Sequence, residues 1–244
     1  DIGTIESQQF FVQYQIKTSN LVKPMDTLEC IKSRQSIRGF KPEPVPRELL
    51  LQIFDTARYS PSYKNTQPWE VMIVSGEKKR ALSALLLDLL EQNTTPQPDL
   101  QEPESWPQTQ QDRINQLYTK RAKATGLDLT DPKIIHKSKQ ANFRFYNAPH
   151  AFYFYQDAAL SPWSLVDIGM FIQSVMLSAN ALGLGTVPQA FATDFAPQVK
   201  SFLSLPESKR LIVGMSVGYP NMEAPVNQLR TDRATTDELV QWLD

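Results

Sequence analysis

The sequence predicts one mixed domain of α+β or α/β class, built around a single sheet. Three observations predict it. Short apolar runs of strand length at residues 69–74, 151–155 and 211–217 are separated by longer segments with helical periodicity. No internal repeat divides the chain. Its 244 residues suffice for a large core that needs no disulfide or metal staple.

Residues 1–24 read as an N-terminal arm, and residues 25–244 as the single domain. Residues 9–16 mix aromatics with glutamines and keep no period; such an end frays in a monomer or wraps a partner in a dimer. A first helix is predicted over 27–33. Pro42, Pro44 and Pro46 then impose an extended stretch. Pro46 opens a second helix as its first residue, with Glu48 in the first turn and Leu49, Leu50, Ile53, Phe54 and Ala57 along one face. That helix ends near Tyr59, and Ser60-Pro61-Ser62 makes a turn. A strand over 69–74 precedes a leucine-rich helix over 77–91. Residues 93–147 read as an insertion or lid: a Pro-, Gln- and acid-rich loop to 107, then helical stretches around 110–125 and 133–145. An aromatic strand follows at 151–155. Ser161 and Pro162 suit the N-cap and first position of a long helix that runs to about Leu182. It is apolar over most of its surface, so it belongs at the centre or at a subunit interface, and Gly183 closes it. A strand at 185–189, a helix near 196–203, a buried strand at 211–217 and a short helix over 236–243 complete the chain.

Composition narrows the function. With 25 Lys+Arg against 26 Asp+Glu, the net charge of −1 leaves no electrostatic footprint for nucleic acid and no polybasic membrane patch. Cys30 is the single cysteine, and His136 and His150 are the two histidines, so neither a disulfide framework nor a multi-histidine metal site is expected. A lone thiol suits a reducing compartment, most simply the cytosol. The longest apolar stretch, 163–187, contains Asp167, Gln173 and Asn180, and no membrane span is expected from it. Neither GxGxxG nor GxxxxGKS/T occurs, so Rossmann and P-loop phosphate sites are unsupported.

Three segments could carry chemistry. In Ser33-Arg34-Gln35-Ser36-Ile37-Arg38, a helix gives way to extended chain, where alternate residues point the same way. Arg34, Ser36 and Arg38 could converge on one ligand, and guanidinium forks suit phosphate. Alone, the segment reads first as a basic surface at a helix C-terminus. Residues 61–69 form a polar loop pinned by two prolines, in which Ser62, Asn65 and Gln67 offer donors and acceptors. It divides evenly between a ligand loop and a turn with a tryptophan anchor. The third segment, 183–189 and then 218–233, reads alone as turn punctuation with surface arginines.

Together these segments resemble a family. S-R-x-S-x-R, A-R-Y-S-P-S-x-x-N-x-Q-P-W, G-L-G-x-x-P, V-G-Y-P and R-A-x-x-D-E follow one another as in the FMN-dependent nitroreductase superfamily, from residue 27 to the end. The resemblance is weakest across 93–147, and P-S-x-x-N-x-Q-P-W is its most specific part. The middle insertion and the tail E-A-P-V-N-x-x-R-T-x-R are similar to the branch that reduces nitrobenzene, nitrobenzoate and related nitroarenes. The resemblance implies an α+β, three-layer α-β-α sandwich with a mixed central sheet, in a homodimer whose C-terminal segments reach onto the partner subunit. It implies FMN as cofactor, NAD(P)H as co-substrate, and ping-pong hydride transfer through flavin N5 to an electron-poor aromatic. Quinone or enone reduction, reductive dehalogenation, or flavin binding without turnover are the alternatives.

The resemblance also implies site residues. Arg34 and Arg233 would bind the FMN phosphate, with Arg230 a second candidate and Gln35 part of the same cofactor segment. Ser36 would hold the phosphate or ribityl chain. Arg38 would lie near flavin N1 and the C2 carbonyl, where a fixed cation stabilises the reduced flavin. Pro61, Ser62 and Asn65 would reach the flavin of the other subunit. Pro188, Gln189 and Ala190 would line the ring near N5. Tyr118, Phe143, Phe145, Tyr146 and Phe191 are candidates for shaping the pocket, though core packing is the first reading of each. Thr235 departs from the proline that relatives often carry after R-A. The groups that hold flavin N3 and O4 have no counterpart in the sequence pattern.

Overall fold

A computed structural model describes residues 25–243; the arm at 1–24 lies outside the described residues. The elements are α1 (Thr27–Ser33), α2 (Arg47–Ala57), β1 (Glu70–Ser75), α3 (Gly76–Glu91), α4 (Gln108–Thr125), α5 (Pro132–Phe143), β2 (His150–Asp157), α6 (Ser164–Ala181), β3 (Gly185–Gln189), α7 (Ala196–Leu203), β4 (Lys209–Gly218), and the single turns α8 (Pro225–Gln228) and α9 (Thr236–Leu239).

The four strands lie in the order β1-β2-β4-β3, and every neighbouring pair is antiparallel. The mixed character expected of the sheet is confined to one parallel bridge, Ser36 with Thr186, on the free edge of β3. Because successive side chains of a strand point to opposite faces, β2 feeds two cores. Ala151, Tyr153 and Tyr155 pack with Leu82 and Leu86 of α3, Phe143 of α5 and Val199 of α7. Phe152 and Phe154 pack with Leu50 and Ile53 of α2 and Phe171 and Val175 of α6. Trp69 stacks on Phe171 with ring centroids 4.6 Å apart and planes 1° from parallel. The result is an α+β fold in three layers, with helices on both faces of the sheet.

Helix starts differ locally from expectation. Pro46 stands at the N-cap of α2 with φ −55° and ψ 142°, one residue before the position expected of it. Ser161 does not cap α6. The Ser164 amide and hydroxyl both donate to the Ser161 carbonyl, at 3.1 and 2.7 Å, and the helix starts at Ser164. Gly183 does close α6, at φ +74°. The last helix is a single turn, because Val240 is already extended.

By length and composition alone α6 could cross a membrane, with mean hydropathy 1.2 over 18 residues. Here it packs against α2 and β3. Its outward side keeps Val166 and Met170 exposed.

One turn has an unexpected backbone. Phe145, Tyr146 and Asn147 have φ values of +55°, +50° and +61°. Left-handed conformations cost non-glycine residues about 1–2 kcal/mol each. Tertiary bonds hold the turn. Ser216 Oγ donates to the Phe145 carbonyl at 2.9 Å, and Lys79 Nζ donates to the Ala148 carbonyl at 2.7 Å. The Phe145 ring is fully buried.

Candidate cofactor site

The segment after α1 crosses the open edge of β3. Asp26 caps α1, its carboxylate accepting from the amides of Leu28 and Glu29. The chain then turns extended, and the Ile37 amide donates to the Thr186 carbonyl at 2.9 Å. Gly185 permits this approach, since a Cβ there would lie 2.7 Å from Ile37 Cγ1. Ile37, Phe40, Ala148 and Val187 form a small core beneath the segment. Ser36 and Arg38 are left half-buried above it.

The C-terminal tail returns to this segment through Asn227, which is 1% exposed. Its Oδ1 accepts from the Arg38 amide at 2.7 Å, while Nδ2 donates to the carbonyls of Gly39 and Asn221, each at 2.7 Å. Gln35 Nε2 donates to the Asn227 carbonyl at 3.0 Å. Arg230 Nη1 donates to the Ser33 carbonyl at 2.8 Å, capping the C-terminal end of α1. Arg233 uses one nitrogen on its own loop, at the Thr231 hydroxyl and the Asp232 carbonyl.

Arg34, Arg230 and Arg233 are thereby neighbours. Burial lowers the pKa of Arg34, and the nearby charges of Arg233 and then Arg230 lower it further. Among the described residues, none of the three is in an ion pair. Asp232, which could have neutralised them, is held instead by Lys120 of α4, whose Nζ lies 2.7 and 2.8 Å from its two oxygens. Gln35 Oε1 is buried and meets no donor. Mutually repelling guanidiniums beside an unused acceptor suit a molecule that brings both an anion and hydroxyl or N–H donors. FMN brings a phosphate and a ribityl chain, so the residues present fit it.

Arg38 lies four residues beyond Arg34 on the same extended segment. Its charged neighbour is Arg121 of α4, which burial and then Arg38 hold below the usual guanidinium pKa.

Pro188 is half-buried and Ala190 exposed, at the end of β3. The Gln189 side-chain amide points inward. Nε2 donates to the Asn142 carbonyl at 2.9 Å, and Oε1 shares the single Ser216 hydroxyl proton with the Phe145 carbonyl. With both ends committed, its side chain serves the left-handed turn at 145–147, and what it can offer a ring is backbone. Phe143 and Phe145 are likewise core residues, whereas Tyr118 is exposed and Tyr146 half-buried.

Pro61, Ser62 and Asn65 lie elsewhere. Their loop is fastened to the start of α6, where the Asp167 carboxylate accepts from the Tyr63 amide at 3.1 Å. Ser62 Oγ accepts from the Gln67 amide at 3.0 Å, and Lys64, Asn65 and Gln67 all have positive φ. The arginine trio adjoins the other end of α6, where Asn180 Nδ2 donates to the Cys30 carbonyl at 3.1 Å and to Ser33 Oγ at 3.0 Å. Thirteen residues of helix separate Asp167 from Asn180, a span of about 20 Å. Within one chain the two halves of the implied site stand at opposite ends of one helix.

Sequence reasoning missed Asn227, Asp167 and Arg121. Asn227 lay inside the tail motif, and Asp167 was a lone acid in an apolar helix; both were legible as residues but not as ties. Arg121 gave no local signal.

The Nitroreductase family matches residues 31–219. A 4-nitrobenzoate reductase of Pseudomonas putida is 35% identical over 211 residues, covering 83% of this chain and 89% of the relative. A nitrobenzene nitroreductase of Ectopseudomonas oleovorans is 29% identical, covering 88% and 96%. Among solved structures, the FMN- and NADPH-dependent nitroreductase NfnB of Sphigopyxis sp. strain HMH superposes with a TM-score of 0.86 at 29% identity, covering 90% of this chain and 100% of the other. The FMN-dependent NfnB of Mycobacterium smegmatis, solved in complex with NADPH, gives 0.84 at 29% identity, covering 88% and 96%.

Proposed function

The chain belongs to the nitroreductase family, and on that premise we propose that it is an FMN-dependent NAD(P)H oxidoreductase that reduces nitroaromatic acceptors as a homodimer. FMN, when bound, carries hydride from NAD(P)H to the acceptor in alternating turns. The chain's own residues bind and orient. Arg34, Arg230 and Arg233 take the phosphate, and Ser36 with the free Gln35 Oε1 takes the ribityl chain. Arg38, held by Asn227 through its backbone, places a fixed positive charge at the pyrimidine end of the ring. The backbone of residues 188–190 would line the ring near N5.

The observation that carries this reading is the arginine trio, which has no carboxylate partner among the described residues and lies beside an acceptor that meets no donor. The homodimer is supported by the two half-sites at opposite ends of α6, since a second copy can bring loop 61–67 to the arginines. Exposed Trp163, Val166 and Met170 around α6, and Trp242 and Leu243 in the tail, supply apolar surface for that contact. The single thiol, Cys30, is buried and fits a reducing cytosolic setting.

The test is spectroscopic. Purified protein should be yellow, bleach under anaerobic NADPH, and recolour on addition of 4-nitrobenzoate or nitrobenzene. Protein that stays oxidised with NADPH refutes the enzyme reading, and quinone, enone and haloarene acceptors run in parallel rank the acceptor class.

A further inference from the structure

No residue of α4 is buried, so packing fixes its place only loosely. What joins it to the C-terminal tail is charge. Lys120 Nζ lies 2.7 and 2.8 Å from the two oxygens of Asp232. Arg113, seven residues earlier and so on the same face of the helix, lies 3.8 Å from Glu238 of α9. An open groove of about 690 Å³ runs between the helix and the tail, and Lys120 and Asp232 both line it. The Asp232 side chain is 83% exposed. A carboxylate in so open a place takes its direction from its charge partners. Asp232 is also the only acid of residues 225–236, one residue from Arg233 and two from Arg230. Arg230 spends one nitrogen on the Ser33 carbonyl at 2.8 Å, and Arg233 one on its own loop. Neither guanidinium is in an ion pair among the described residues. The one acid inside the arginine stretch is thus spent on α4.

We propose that Lys120 is a positioning residue for the phosphate site: it holds Asp232 on α4, so that the tail's own carboxylate does not occupy the guanidiniums that take the cofactor's phosphate. This rests on the reading above, in which Arg34, Arg230 and Arg233 bind that phosphate. Carboxylate and phosphate both match a guanidinium fork. A carboxylate tethered one residue away competes at high effective concentration, and Lys120 removes it from the competition. Helix α4 therefore acts on cofactor affinity through the tail. Because the pair is exposed, its hold is modest and screened by salt.

The test is a double-mutant cycle read by flavin fluorescence quenching. All proteins carry Lys123→Ala, because Lys123 lines the same groove and can take Asp232 over. Lys120→Ala should weaken FMN binding about twofold to fivefold, the span of an exposed ion pair, and leave the binding of riboflavin, which lacks the phosphate, unchanged. Asp232→Asn should restore FMN affinity to the Lys120→Ala protein, and should change it by a smaller factor where Lys120 is present. A tail merely tethered to α4 behaves otherwise: either substitution weakens FMN, and the second does not mend the first. That pattern overturns the proposal. So does an Asp232→Asn gain of the same factor with and without Lys120, which marks charge acting through space alone. Protein with Lys120 and Asp232 intact that binds FMN no more tightly than riboflavin overturns the phosphate reading, and this proposal with it.

Discussion

Replacing Asp167 with alanine should weaken FMN binding from the far end of helix α6. Asp167 is 3% exposed, lies in the first turn of α6, and accepts the Tyr63 amide at 3.1 Å. A hydrogen bond to a charged group contributes about 1.5–3 kcal/mol. A carboxylate near a helix N-terminus adds about 0.3–1 kcal/mol. Relief of its buried charge offsets part of this, leaving about 2–3 kcal/mol. In a domain of this size each kcal/mol moves Tm by about 2–4 °C, so the FMN-free protein should melt roughly 4–12 °C lower. Asp167→Asn keeps an acceptor without the charge and should lose about half as much. Because the released loop carries Ser62 and Asn65, FMN affinity measured by flavin fluorescence quenching should fall as well, although Asp167 is about 20 Å from the arginines along the helix. An Asp167→Ala protein with unchanged Tm refutes the anchor. One with lowered Tm and undiminished FMN affinity refutes the loop's part in the site.

Arg38→Ala should weaken FMN binding and slow anaerobic flavin reduction in stopped flow by about 1.5–3 kcal/mol; wild-type reduction kinetics would remove Arg38 from the ring. Gly185→Ala should push Ile37 off β3, since the new Cβ falls 2.7 Å from Ile37 Cγ1; a loss of about 1–3 kcal/mol in urea unfolding together with weaker FMN binding is expected. Burial, and then Glu102, push the Asp194 carboxyl up to about 6. Unfolded chain titrates near 3.9, so above pH 6 the fold carries a charge it disfavours, and below about pH 3 both states are neutral. Asp194→Asn should therefore gain about 1–2 kcal/mol at pH 7.5, after allowance for water near the group, and almost nothing at about pH 3; an equal gain at both pH values would exclude titration as the cause.

Elements with a local signature were legible in the sequence. The leucine period of α3, the aromatic alternation of β2 and the closing glycine of α6 all act through neighbours in the chain. The arginines of the first and last segments were legible as a pattern, because motif order linked what spacing alone did not. The turn at 145–147 was invisible: Phe-Tyr-Asn contains no glycine, and its left-handed backbone is imposed by Ser216 and Lys79 from remote strand and helix. The same holds for Asn227, two of whose side-chain bonds reach Arg38 and Gly39 across nearly the whole chain. The resemblance placed Gln189 along the flavin ring but did not show where its side chain points: a buried amide takes the partners that satisfy both its ends, and here those are Asn142 and Ser216.

The shared site is tested most directly by mixing two defective chains. One carries Ser62→Ala and Asn65→Ala, the other Arg34→Gln and Arg233→Gln. In a heterodimer, a site built across two copies has one intact half-set of each kind, so co-expressed chains should recover one tightly bound, reducible FMN per dimer while each parent dimer binds none tightly. Heterodimers that bind no more FMN than the parents would contradict a site assembled from opposite ends of α6 in two subunits.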